Sequence, residues 1–360
     1  MIKSSTRVRG LPSYKPGKPI EELQRELGFQ KVTKLASNES PIGPSPLVIA
    51  ELEKLTRQAH LYPDGDCFEL KKRLAFKEEI LPNQIIIGNG SNEVLELVAH
   101  AYLEEGDEAL MGEHCFIVYP IVSSLSRATV VRSSMENMAI DLTDLLARIT
   151  EKTKVIFLAN PNNPTGTRST KKEIEVFLDE VPKNILVVLD EAYSEYMSPD
   201  DVLNVCEDIN KHKNLLVLKT FSKAYGLAGL RVGYGMADST IIETLNKPRE
   251  PFNVNSMAQA AAIRALEDPE HIARAVSINK EGMIYLKSEL NKLNIKTYPS
   301  YANFLLLEFK SNARTLYEEL LKVGIITRPL ENYGLMNHLR VTIGTEENNL
   351  QFIAELKKLI

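Results

Sequence analysis

Three short runs, VIFLA (155–159), ILVVLD (185–190) and LLVLK (215–219), constrain this chain more than any other feature. Each is apolar up to its last residue and shows no polar alternation, so each reads as a strand buried on both faces. Helix-like text separates them, and Thr170 with Glu173 forms a capping box that opens one such helix. IIIG (85–88) repeats the pattern: it precedes a segment in which Val94, Leu95, Leu97, Val98 and Tyr102 follow helical spacing. Short both-face-buried strands alternating with helices specify an α/β fold, a mostly parallel sheet with helices on both faces. Right-handed crossovers then collect the strand C-termini on one edge, where ligands usually bind.

The text changes after Pro248–Pro251. Long helical text from about Ser256 to Leu293 precedes short strands (FLLLEF, GIIT, LRVTIG) and a last helix from Glu346 to Ile360. That order suggests a smaller α+β domain, and 360 residues suffice for two domains at about 150 residues each. The Pro/Gly/Lys-rich opening to Pro19 suits an arm or lid, since proline lacks an amide donor and excludes regular helix or central strand. A loop, SNESPIGPSP (37–46), precedes helical text from Leu47 to about Arg57.

Charge excludes some partners. Lys and Arg number 43 against 48 Asp and Glu, a net charge of −5, so no global basic field favours nucleic acid. Three separated cysteines (Cys67, Cys115, Cys206) give neither a disulfide framework nor a zinc pattern, and the six histidines show no HExxH. No metal is expected. No apolar run approaches the ~18 residues of a membrane span, so a soluble, cytoplasmic protein is expected.

Four polar clusters stand at the ends of the predicted strands. GNGSNE (88–93) begins a helix, but Glu93 replaces the third glycine of a dinucleotide fingerprint; small residues at a helix N-terminus, Gly90, Ser91 and Asn92, still suit an anion. NPNNPTG (160–166) forces an extended loop that presents asparagine amides, Asn163 among them. DEAY (190–193) sets Asp190 at the end of an apolar strand, where its carboxylate needs a cationic or donor partner, with Tyr193 one turn later. TFSKAYGLAGLRVGYG (220–235) holds Lys223 among small and apolar residues, where desolvation would leave a nucleophilic amine. Ser222 and Arg231 add a hydroxyl and a guanidinium suited to phosphate. An amine, a buried carboxylate, a phenol, an amide and phosphate-binding elements on one sheet edge together match the needs of pyridoxal 5'-phosphate.

NPNNPTG, DEAY and SKAYGLAGLRVGYG, in this order, resemble the fold-type-I pyridoxal-phosphate aminotransferases. Within them, YKPGKPIEELQRELG (14–28), LASNESPIGPSP, LYPDGD (61–66), RPL (328–330) and LRVTIGT (339–345) resemble the histidinol-phosphate aminotransferase family. The resemblance implies that Lys223 forms the Schiff base and shuttles the proton, that Asp190 pairs with the ring nitrogen, and that Tyr193 and Asn163 bond the ring's phenolic oxygen. Ser91, Asn92, Ser222 and Arg231 would hold the phosphate, joined by Tyr62 from the partner subunit of a homodimer. Phe116 would stack on the ring, although GEHCFIVY differs from the usual Pro-Thr-aromatic text. Arg340 with Arg328 would bind the substrate's anionic group, with Tyr14 and Asn38 closing the pocket. The division expected is an arm (1–28), a cofactor-binding large domain (45–248), and a small domain made of 29–44 with 249–360.

The activity so implied is ping-pong transamination from L-histidinol phosphate to 2-oxoglutarate, giving imidazole acetol phosphate and glutamate. An aromatic or broad-range aminotransferase would share every cofactor residue, and a same-fold decarboxylase would differ only in carboxylate geometry. A transcription regulator built on this fold would need an N-terminal DNA-binding domain, and none is expected ahead of the arm.

Overall fold

The computed structural model describes residues 2–9 and 17–360, so Tyr14 lies outside the described residues. The apolar runs form the middle of a seven-stranded sheet. In spatial order its strands are Ile85–Gly88, Gly233–Ala237, Leu215–Thr220, Leu186–Asp190, Thr153–Ala159, Glu108–Gly112 and Thr129–Ser133. Gly233–Ala237 runs antiparallel to both neighbours, and the remaining pairs are parallel.

Burial on both faces explains the absence of polar alternation. Val187, Leu189 and Val217 pack with Ile174, Phe177 and Leu178 of the helix Lys171–Glu180. Their neighbours in sequence, Val188, Leu216 and Leu218, point the other way and pack with Val94, Leu95 and Val98 of the helix Ser91–Tyr102. The side-chain period of two thus feeds two separate apolar layers. Thr170 caps the helix it precedes, with the reciprocal Glu173 bond in place.

A second sheet has four antiparallel strands in the order Lys296–Thr297, Phe304–Glu308, Leu335–Thr342, Arg328–Leu330. Leu286 and Leu290 of Pro269–Lys292, Leu320 of Ala313–Lys322, and Phe352 and Leu356 of Glu346–Leu359 cover it. Thr33–Lys34 pairs in parallel with Ile325–Ile326, and Asn303 donates to the Asn38 carbonyl at 2.9 Å. The start of the chain is therefore stitched to its last third.

Two readings of the sequence need correction. The helical text from 256 to 293 splits into Ser256–Leu266 and Pro269–Lys292, because Asp268 caps a new helix and Pro269 fits only its first turn. The opening stretch also carries one helical turn, Thr6–Arg9, which ends before its prolines begin. Among the described residues no helix is long and apolar enough to cross a membrane.

Candidate active site

The C-terminal strand ends and the loops after them enclose a cavity of about 280 Å³. Its lining brings together Asn38, Ser91, Asn92, Phe116, Asn163, Asp190, Tyr193, Ser222, Lys223, Arg231, Arg328 and Arg340. Asp190 and the Lys223 loop meet there because the crossovers return the parallel strand ends to one edge, and the second sheet, with Asn38 bonded to Thr342 and Asn303, brings Arg328 and Arg340.

Asp190 is the last residue of its strand and is buried. Its Oδ1 accepts from the Ala192 amide at 3.1 Å and its Oδ2 from the Tyr119 hydroxyl at 2.7 Å. Burial pushes its pKa above the usual carboxylate range, while the Tyr119 hydroxyl, the Ala192 amide and the Lys223 charge act against that rise. A carboxylate so placed is stabilised by a cation in the cavity.

Lys223 lies in the loop after Leu215–Thr220, and its Nζ donates to the Ser37 carbonyl at 3.1 Å. Desolvation lowers its pKa to about 8, with the Arg340 and Arg231 charges adding and Glu39 and Asp190 opposing. The loop can reach this place because Gly226, at φ +72°, lets the backbone pack against Gly43, where any Cβ would overlap the Gly43 carbonyl. Tyr193 is buried beside the lysine, 5.7 Å from ring centroid to ammonium, and its hydroxyl accepts from Asn38 Nδ2 at 2.9 Å. Burial pushes the phenol up to about 12, so it is protonated at neutral pH.

At the other end, no side chain caps the helix Ser91–Tyr102, which leaves its first amides available to an anion. Gly90, at φ +77°, does not line the cavity but shapes it: a Cβ there would stand 2.5 Å from the Arg231 guanidinium. Arg231 itself occupies the left-handed region at φ 58°, a strain that non-glycine residues accept mainly at functional sites. Ser222 Oγ accepts from Thr220 Oγ1 at 3.0 Å, so its own proton is free to be donated into the cavity.

Arg328 and Arg340 face each other directly across adjacent antiparallel strands, and both are buried. Arg340 donates to Asn163 Oδ1 and to the Ala36 carbonyl, the latter at 2.7 Å, and stands over the Phe304 ring. Like charges opposed in this way destabilise a sheet unless an anion lies between or beside them.

The structure therefore unites every pocket residue expected from one subunit except two: Tyr14 is outside the described residues and Gly90 stands behind the lining. Tyr62, expected from the partner subunit, is 83% exposed and stacked on Phe252 at 4.8 Å. Phe116 lines the wall and meets Tyr119 edge to face at 5.6 Å. Sequence reasoning missed Tyr119, Ser37, Glu39, Thr220 and Tyr333, all on the lining. Thr220, Ser37 and Glu39 lie within motifs already noted, and Tyr119 stands one helical turn after Phe116. Tyr333 arrives through closure of the second sheet, which no local pattern announces.

The aminotransferase class I and II family matches residues 30–356. Histidinol-phosphate aminotransferase 2 of Haemophilus influenzae is 43% identical over 98% of this chain and 96% of its own length. The protein of the same name from Pseudomonas fluorescens is 46% identical over 98% and 96%. The crystal structure of histidinol-phosphate aminotransferase from Sinorhizobium meliloti in complex with pyridoxal-5'-phosphate superposes with a TM-score of 0.91 at 24% identity, covering 100% of this chain and 99% of that one. Matched along nearly its whole length and carrying the lysine and carboxylate of one sheet and the paired arginines of the other on one cavity wall, the chain belongs to the class I and II aminotransferases, within the histidinol-phosphate aminotransferase family.

Proposed function

We propose that this chain moves the amino group of L-histidinol phosphate to 2-oxoglutarate, using pyridoxal 5'-phosphate. One observation carries the reading: two buried arginines opposed across a strand pair, on the wall of the cavity that holds Lys223 and Asp190. The forked donors of two adjacent guanidinium groups match a phosphate or a dicarboxylate. Relatives named histidinol-phosphate aminotransferase at 43% and 46% identity support the same substrate.

The residues fit the cofactor. Lys223 offers an amine of lowered pKa, and Asp190 offers a buried carboxylate held by the Tyr119 hydroxyl and the Ala192 amide. Ser91, Asn92, Ser222 and Arg231 offer donors beside an uncapped helix start, and Gly90 keeps the approach to Arg231 open. Phe116 would stack on the ring, while Tyr193 and Asn163 would bond its phenolic oxygen. When bound, the cofactor supplies the electron sink for the pair left at the donor's α-carbon. Lys223 Nζ would take the proton from that carbon and return one on the cofactor side. Asp190 would stay ionised beside the ring cation and so hold the proton on the ring nitrogen. Arg328 and Arg340 would bind phosphate or carboxylate and fix the donor's orientation. Asn38, bonded to the Tyr193 hydroxyl, would close the pocket together with Tyr14.

We further infer a homodimer in which Tyr62 reaches the neighbouring cavity. Its 83% exposure, with Leu61, Phe68 and Phe76 exposed nearby in sequence, supports a covering partner. A cytoplasmic location and the division into an arm (1–28), a large domain (45–248) and a small domain (29–44 with 249–360) complete the reading. The test is turnover with histidinol phosphate, phenylalanine and glutamate as donors, read together with carbon dioxide release. Histidinol phosphate should give the highest kcat/KM. A preference for phenylalanine would make it an aromatic aminotransferase, and carbon dioxide would make it a decarboxylase.

A further inference from the structure

We propose that Glu39 selects an imidazole-bearing donor by accepting the ring N–H of the substrate. This rests on the reading that histidinol phosphate is the donor. Among the described residues the cavity lining includes two carboxylates, Asp190 and Glu39. Asp190 sits buried at its strand end with both oxygens accepting protein hydrogen bonds. Glu39 differs in its exposure and in having an oxygen left to accept. It follows Asn38 on the cavity wall, and its side chain is 44% exposed, open to an entering molecule. Lys34 Nζ donates to Oε1 at 2.7 Å, which pins the carboxylate and leaves Oε2 to accept. Its charge also reaches Lys223, whose pKa it raises against the effect of burial.

The arrangement of charge then divides the substrate in two. Arg328 and Arg340 take the anionic arm. A carboxylate facing the remaining arm repels a second anion and leaves a phenyl ring with nothing to offer it. An imidazole satisfies it, since the ring presents an N–H whether neutral or protonated. A site built to receive an N–H disfavours an isostere lacking one, because the acceptor loses its water and gains nothing.

The test compares the cofactor-loaded parent with Glu39→Ala and Glu39→Gln. The donors are histidinol phosphate and phenylalaninol phosphate, with 2-oxoglutarate as acceptor. Calorimetry with the deamino analogue of histidinol phosphate, which cannot react, reads binding alone. Glu39→Ala should lower kcat/KM for histidinol phosphate about 10-fold and weaken the deamino analogue by a similar factor. Phenylalaninol phosphate and 2-oxoglutarate should hold at the parent level or rise, because a repelling charge has gone. Glu39→Gln keeps the shape, and should show the same ordering with a smaller loss. If both donors fall together, or neither changes, Glu39 does not read the imidazole and the inference is overturned. If the parent itself fails to use histidinol phosphate, the proposed function and this inference fall together.

Discussion

Replacing Tyr119 by Phe isolates the support beneath the Asp190 carboxylate. The phenol donates to Asp190 Oδ2 at 2.7 Å inside a fully buried site. A hydrogen bond to a charged acceptor contributes about 1.5–3 kcal/mol, which corresponds to a factor of roughly 10–100 in an equilibrium constant. The ring meanwhile stacks on Phe157 at 5.1 Å, nearly parallel, and phenylalanine keeps that contact. The loss should therefore fall on the carboxylate and leave the core packed. Burial already raises the pKa of Asp190, and the Tyr119 bond restrains that rise, so the variant moves it further upward. The ionised form is then lost at higher pH as the solution is acidified, and grip on a ring cation goes with it. Fluorescence titration of the cofactor-free protein should show pyridoxal phosphate bound about 10-fold more weakly, with the deficit growing below neutral pH. A variant that bound and turned over like the parent at every pH, and lost only thermal stability, would make Tyr119 a packing residue and refute the argument.

Other consequences are as direct. With its pKa near 8, Lys223 should be about one-tenth neutral at pH 7, some hundreds of times more than an ordinary lysine. Attachment of pyridoxal phosphate to the cofactor-free protein should accelerate with pH and level off just above 8, where a normal lysine would keep gaining to 10; Lys223→Ala should abolish the absorbance of attached cofactor and turnover. Gly90→Ala forces a Cβ toward the Arg231 guanidinium at φ +77°, and should weaken the cofactor at least about 10-fold in the same titration. Arg340→Lys cannot reach Asn163 and the Ala36 carbonyl with one point charge, so KM for histidinol phosphate should rise about 10-fold or more in steady-state assays.

The sheet and its active edge were legible because burial on both faces leaves an unmistakable text: VIFLA, ILVVLD and LLVLK have no polar face to hide. Asp190 stood out as a charge ending an apolar run, and Lys223 as a charge set among small and apolar residues. Other features needed three dimensions. Glu39 and Ser37 sit in a loop whose place depends on Asn38 bonding Thr342 and Asn303, over 260 residues away. The break at Asp268–Pro269 was written in the sequence but outweighed by helical spacing on either side. Gly90 was read as a cradle for an anion, yet its stronger role is the room it leaves for Arg231, which only the folded backbone discloses.

The facing of Arg328 and Arg340 has a consequence for how this protein can change. Their strands are joined through the short turn Glu331–Tyr333 and Gly334, with a register shift already present at Pro329/Leu330. Side chains alternate along a strand, so one residue added to or removed from that turn would send one arginine to the opposite face. The meeting of these two positive charges on one cavity wall is thus tied to the length of a hairpin. An insertion there, tolerated in most surface turns, would break the arginine pair while leaving every cavity residue unaltered in sequence.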